Sequence, residues 1–207
     1  FGRLNTERIG HMTTEIEFYL CEREAMSNNL KTVEFFYYEL PIANKQLFRM
    51  WRRTLRVSRL VYPLWRCNGL LPGGELHEIE LRGDNFEEAG RLLLKSDVHI
   101  KFTPEEEVFG SKCLREMGIG ASSEFVCFHA RESSYLKKVF PGTDFKYHDF
   151  RDSDIRNFFK AVEEMANRGY FGVRLGKYIE VPISINNSRI IDYSTKFRTD
   201  FHDIFLL

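Results

Sequence analysis

From Glu124 to His129 the chain is an unbroken apolar run through Phe125-Val126-Cys127-Phe128. A helical stretch follows, capped by Asp152 or Ser153, running to Arg168 and stopped by Gly169. Tyr170 to Leu175 then reads as a second strand, followed by Gly176. Strand, helix, strand is a βαβ unit, so this sheet is expected to be parallel. The first strand, apolar throughout, is expected to be covered on both faces. No other feature of the sequence narrows the fold as much.

The rest of the chain fits an α/β reading. Thr14 and Glu17 have capping-box spacing and predict a helix burying Ile16, Tyr19 and Leu20. Lys31 to Tyr38 is β-rich and predicts a strand. Pro41 and Asn44 introduce a helix from Lys45 to about Val61, and Asp84 caps another from Asn85 to Lys95. Asp97 to Phe102 alternates like a strand through Val98, Ile100 and Phe102. Pro104 suits the first turn of a helix, with Glu105, Glu106 and Glu107 at its positive end. That helix ends before Gly118, and residues 118–123 read as a linker. The expected organisation is a first domain over 1–117 and a second over 124–207.

With 207 residues the chain can bury about seventy per cent of its extended surface, enough for a core without staples. At 43% hydrophobic and 29% charged residues, disordered, collagen-like and membrane-spanning classes are excluded. No run of eighteen apolar residues occurs, so no transmembrane helix is expected. Cys21, Cys67, Cys113 and Cys127 are widely spaced, which reads as free buried thiols in the cytoplasm. Without close Cys or His pairs, no metal site is expected. The start at Phe1 and the apolar ending from Phe201 to Leu207 predict an internal segment of a longer protein, inactive alone.

His129-Ala130-Arg131-Glu132 lies at the carboxyl end of the first predicted strand, where open α/β sheets bind ligands. An Arg there can present a planar fork to a diphosphate, or pair with a surface carboxylate. Arg174 and Lys177 flank the end of the second strand and Arg151 precedes the helix, so these cations can gather at one crevice edge. Arg174 reads equally as a structural ion pair. Asp152-Ser153-Asp154 spells D-x-D, a metal-holding pattern in some sugar-transferring enzymes, but at a helix start it reads as a cap.

Between Leu40 and Gly74 there are seven cations and no acid, so this stretch carries +7 and the rest of the neutral chain −7. On a helix, Arg49, Arg52, Arg53, Arg56 and Arg59 share one face; Leu47, Met50, Trp51, Leu55 and Val61 share the other, with Leu60 the exception. A basic amphipathic helix suits an anionic membrane surface, or simply a solvated face over a core. Nucleic acid is not expected, because the aromatics lie on the apolar side.

The strand and H-x-R motif Phe125–Glu132 resembles that of fucosyltransferase-like enzymes of the GT-B fold. Arg151-Asp152-Ser153-Asp154-Ile155, Arg168-Gly169-Tyr170 and Val173-Arg174-Leu175-Gly176-Lys177 resemble a family of bacterial glycosyltransferases. Ile191-Asp192-Tyr193 and Arg198-Thr199-Asp200-Phe201-His202-Asp203 continue the likeness. Arg8-Ile9-Gly10-His11 and Pro41-Ile42-Ala43-Asn44 match its amino-terminal half. The resemblance implies two Rossmann-like parallel-sheet domains of GT-B type facing across a cleft, the second incomplete here. It implies transfer of a sugar from a nucleotide-sugar to a cell-surface or lipid-linked glycan, without metal or cofactor. Arg131, with His129, Arg151, Arg174 and Lys177, would hold the donor diphosphate. His11 or Glu17 would be the base, Glu17 being also the capping partner of Thr14. Arg49 to Arg59 would meet the acceptor or the inner face of the cytoplasmic membrane. The alternative is a non-catalytic α/β module that binds anionic lipid or glycan through the same arginines.

Overall fold

Parallel pairing organises both halves of the chain in a computed structural model that describes residues 1–26, 32–81, 86–179 and 181–207, the side chains of 86–89 and 148 excepted. The chain divides into two units, Phe1–Phe102 and Thr103–Leu207.

In the first unit β1 (Gly2–Leu4) pairs in parallel with β2 (Phe36–Tyr38), joined by α1 (Ile9–Ala25). Single parallel bridges, Gly2 to Ile79 and Phe36 to Val57, widen the sheet on either side. Gly2 permits the close approach of β2: a Cβ there would lie 2.6 Å from the Phe36 ring. Met12, Ile16 and Leu20 recur every four residues on α1, and all three are buried. The helix α2 (Lys45–Thr54) starts where Asn44 Oδ1 accepts from the Leu47 N–H at 2.9 Å. Its inner face buries Leu47, Met50 and Trp51, each worth roughly 1.5–3 kcal/mol. Trp51 Nε1 also donates to the Met12 carbonyl at 2.7 Å, tying α2 to α1. Two shorter helices follow, α3 (Val61–Asn68) and α4 (Phe86–Leu93).

The second unit opens with α5 (Pro104–Glu116), whose Thr103 and Glu106 form a reciprocal capping box. Then come β3 (Phe125–Phe128), α6 (Ser134–Val139), α7 (Phe159–Asn167), β4 (Phe171–Arg174) and β5 (Ile190–Ile191), with α8 (Tyr193–Lys196) and α9 (His202–Phe205) last. The strands lie in the order β3-β4-β5, all parallel. Gly172 lets α7 rest on the sheet, since a Cβ there would meet Val162 Cγ2 at 2.1 Å. The core holds Cys113, Met117, Ile119, Val173, Ile191, Tyr193 and Leu206. The protein is thus α/β, with the βαβ unit read from the sequence in place.

Several expectations are corrected. The turn at 118–123 is part of the second unit: Gly118 has φ +88° and ends α5, and Ile119 is 1% exposed in that unit's core. α5 therefore belongs with the second unit rather than the first. The helix after Asn44 stops at Thr54, because residues 55–58 are drawn to the sheet: Phe36 N–H donates to the Arg56 carbonyl and Ser58 N–H to the Phe36 carbonyl, both at 2.9 Å. Arg56 and Arg59 thus leave the helix that carries Arg49, Arg52 and Arg53. Thr14 is no cap, because α1 has already begun at Ile9 and the Thr14 hydroxyl donates back to the Gly10 carbonyl. Asp97–Phe102 forms no strand, and Val98 is exposed. β3 is half-buried because it lies at the sheet edge. Asp154, not Asp152 or Ser153, caps the turn before α7, accepting from Arg156 N–H at 2.8 Å. The start of the predicted strand at Lys31, and the cap at Asp84 with Asn85, lie outside the described residues.

Candidate functional site

In a parallel sheet the carboxyl ends of the strands are where loops converge on ligands, and each unit gathers polar side chains there. In the first unit the chain leaves β1 through Asn5 and Thr6. The buried Thr6 hydroxyl donates to the Glu39 carbonyl at 2.6 Å, and Ala43 N–H donates to the Thr6 carbonyl at 2.7 Å. These bonds bring the loop after β2, with its cis Leu40–Pro41 peptide, against the loop after β1. Thr6, just before the Arg8–His11 block, is thereby held against the Pro41–Asn44 block.

His11 stands in the first turn of α1, and its Nδ1 meets Glu15 Oε1 one turn on. Asn5 Nδ2 donates to the other oxygen, Oε2, at 2.7 Å. Glu15 is only 7% exposed, whereas the His11 side chain is 46% exposed. A carboxylate can only accept, so it holds the proton on His11 Nδ1 and leaves Nε2 with a basic lone pair. Among the described residues Nε2 makes no hydrogen bond. The chain Asn5–Glu15–His11 is an oriented imidazole able to take a proton from a hydroxyl.

Glu17, the other expected base, faces elsewhere. Its Oε1 meets His99 Nδ1 at 3.0 Å, in the segment after α4.

In the second unit the expected cations take different roles. Arg131 follows β3 and pairs with Asp152, both side chains about a quarter exposed. Ser153 N–H donates to the Arg131 carbonyl at 3.0 Å, so the D-x-D segment braces this loop. His129 is exposed, with Nδ1 directed at the Leu175 carbonyl at 3.2 Å. Arg151 is exposed at the end of a 3-10 turn, Lys146–Arg151. Lys177 lies over the Tyr135 ring at 5.9 Å, beside a Tyr135–Tyr178 stack.

Arg174 is withdrawn from this edge, being 1% exposed. It donates to Glu132 Oε1 at 2.9 Å and to the Val181 carbonyl, and lies 3.8 Å from Asp192 Oδ2. Asp192 in turn accepts from Ile183 N–H at 3.1 Å. This is the structural ion pair that the sequence left open. The last family-like block is structural too: the Tyr193 hydroxyl donates to Asp203 Oδ1 at 2.7 Å, and Arg198 bridges Asp200 and Asp203. Burial, helped by Asp203, pushes the Tyr193 phenol up.

On α2, Arg49, Arg52 and Arg53 are exposed, and with Lys45 and Phe48 they line a hollow of about 340 Å³. Arg49 donates to Gln46 Oε1 and Arg53 to the Lys101 carbonyl. No helix among the described residues is long and apolar enough to cross a membrane. Sequence reasoning missed Asn5 and Glu15, although the i, i+4 spacing of His11 and Glu15 was there to read. It also missed Asp152 as the partner of Arg131, a pairing that only the fold creates.

No family model, curated protein or solved structure matches the chain.

Proposed function

We propose that the protein is a metal-independent glycosyltransferase of GT-B type, using a nucleotide-sugar to glycosylate a cell-surface or lipid-linked glycan. The observation that carries the reading is the Asn5–Glu15–His11 chain at the carboxyl edge of β1 and β2, with an exposed imidazole backed by a buried carboxylate. The acceptor hydroxyl attacks the anomeric carbon while His11 Nε2 takes its proton. The new bond joins acceptor oxygen to that carbon, and the bond to the diphosphate oxygen breaks. Within the second unit, Arg131 together with His129, Arg151 and Lys177 supplies the positive potential that a nucleoside diphosphate calls for. Arg174 is left out of this set by its burial, and Glu17 by its bond to His99.

A thermal-shift screen of nucleotide-sugars and nucleoside diphosphates tests the reading. One nucleotide should raise Tm in the wild type, and the shift should vanish in Arg131→Ala. A folded protein that responds to none of them overturns it.

One observation favours a second reading, the lipid- or glycan-binding module. Leu60, Leu64, Leu70, Leu71 and Leu76 are all more than half exposed, next to Arg59 and Arg66. Apolar side chains beside cations suit the boundary of an anionic bilayer, where each cation adds about 1 kcal/mol. Co-sedimentation with anionic vesicles should fall when Leu70 and Leu71 become Ser. Binding that persists in that variant removes the leucines from the account. A docked transferase and a bare module part on the nucleotide response above.

A further inference from the structure

One cluster lies apart from these strand ends. Glu17 and Cys21 are four residues apart on α1 and share a face. His99 reaches them from the segment after α4, 82 residues beyond Glu17. A Glu17 carboxylate oxygen, the Cys21 sulfur and a His99 ring nitrogen lie within 4.8 Å of one another. Cys21 is 1% exposed and the His99 side chain 9%. The backbone holds His99 in place as well: Thr54 donates to its carbonyl at 3.3 Å from α2, and its own N–H points to Glu17 Oε1 at 3.4 Å.

The imidazole stands between two carboxylates. Nδ1 lies 3.0 Å from Glu17 Oε1, and Nε2 lies 3.1 Å from Glu24 Oε1. Each ring nitrogen thus faces a carboxylate oxygen, that of Glu17 inside and that of the half-exposed Glu24 outside. Nε2 is buried and makes no hydrogen bond among the described residues. A cation held between Nδ1, Glu17 and Cys21 would leave Nε2–H facing Glu24.

We propose that Glu17, Cys21 and His99 bind a zinc-class divalent cation, with Glu24 as the outer carboxylate that orients the imidazole. Thiolate, imidazole and carboxylate together suit Zn²⁺ or Co²⁺ rather than Mg²⁺ or Ca²⁺, which favour oxygen alone. Tetrahedral ligands of such an ion stand about 3.5 Å apart, so side-chain shifts of about an ångström close the set. Binding at Nδ1 leaves the proton on Nε2, facing Glu24, the carboxylate–histidine–metal pattern. The Cys21 thiol releases its proton to solvent as the ion binds. The fourth position is left to water. The ion would pin the segment carrying His99 to α1.

Cobalt is the probe, added to the full chain after dialysis against chelator. One Co²⁺ per chain should remain through gel filtration and give a thiolate-to-cobalt charge-transfer band, and Zn²⁺ should displace it. Cys21→Ser should abolish the band, and His99→Gln should weaken uptake at least ~10-fold, as should Glu24→Gln. Cys67→Ser, at an exposed cysteine outside the cluster, should leave everything unchanged. No stoichiometric uptake by the wild type overturns the proposal, a result that needs no variant to fold. A band that survives in Cys21→Ser overturns it as well.

Discussion

In the first unit the ionisable group at the strand ends is held outward: His11 is 46% exposed, and the buried Glu15 and Asn5 behind it fix which nitrogen carries the proton. In the second unit the cation at the end of β4 is drawn inward: Arg174 is 1% exposed, clasped by Glu132 and Asp192. Each follows or ends a parallel strand: Arg174 is the last residue of β4, and His11 stands in the first turn of the helix after β1. A carboxylate beneath an exposed imidazole orients a group that meets solvent. Carboxylates around a buried guanidinium instead lock the loops that follow β3 and β4. In the second unit that leaves Arg131, braced by Asp152 and partly exposed, as the cation on which the proposed donor site rests. Position at a strand end therefore nominates residues, and burial decides which of them act.

The sharpest way to break the comparison is to remove each group. Arg174→Ala strands Glu132 and Asp192 in the interior and should cost about 3–5 kcal/mol, read by urea unfolding. His11→Ala removes an exposed partner and should cost under about 1 kcal/mol. Equal losses would mean that the two sites are built alike.

Next in size is Gly172→Ala, which should cost about 1–3 kcal/mol by pushing Val162 and α7 off the sheet. A neutral result would show that α7 can retreat.

Smaller effects follow from the caps. Asn44→Ala should cost about 1 kcal/mol, with a matching loss for Thr103→Ala at the start of α5. Thr14→Ala should change stability by only a few tenths, because Thr14 lies inside α1 rather than at its end.

The gentlest test is alkaline pH. Burial pushes the Cys127 thiol up to about 11, above its ordinary value near 8.5. The fold favours the neutral thiol, so its contribution is whole below the unfolded value and is lost as pH rises from there to about 11. Tm should fall between about pH 8.5 and 11, and less steeply in Cys127→Ala. Burial raises Tyr19 and Tyr193 in the same direction, so some slope should remain in that variant. An unchanged slope would take Cys127 out of the explanation.

What the sequence revealed was local. The cap at Asn44 and the inward face of Leu47, Met50 and Trp51 follow from residues within two turns of one another. So does the start of α5 at Pro104, and the alternation of local strand and helix patterns gives the βαβ order from Phe125 to Arg174. Long-range bonds decided what it concealed. Nothing near Thr54 stops a helix; the pull comes from Phe36, which takes up the backbone of Arg56 and Ser58. Thr14 and Glu17 have the spacing of a capping box, yet α1 begins at Ile9, where no side chain caps it, and Glu17 turns to His99 instead. Arg131 and Asp152 lie 21 residues apart, a pairing that only folding reveals. The His11–Glu15 pair was legible by spacing alone, but its importance rests on Asn5, brought to the same carboxylate by the end of β1.

The central claim is that an anionic donor binds at Arg131, in competition with Asp152, while Arg174 stays structural. Calorimetric titration of a nucleoside diphosphate into the wild type, Arg131→Ala and Asp152→Asn tests it most directly. A charge-assisted hydrogen bond contributes roughly 1.5–3 kcal/mol, so Kd should rise at least ~10-fold in Arg131→Ala. It should fall in Asp152→Asn, where the guanidinium no longer has a competing carboxylate. The same Kd in all three proteins, or no heat with any nucleoside diphosphate, would contradict the account.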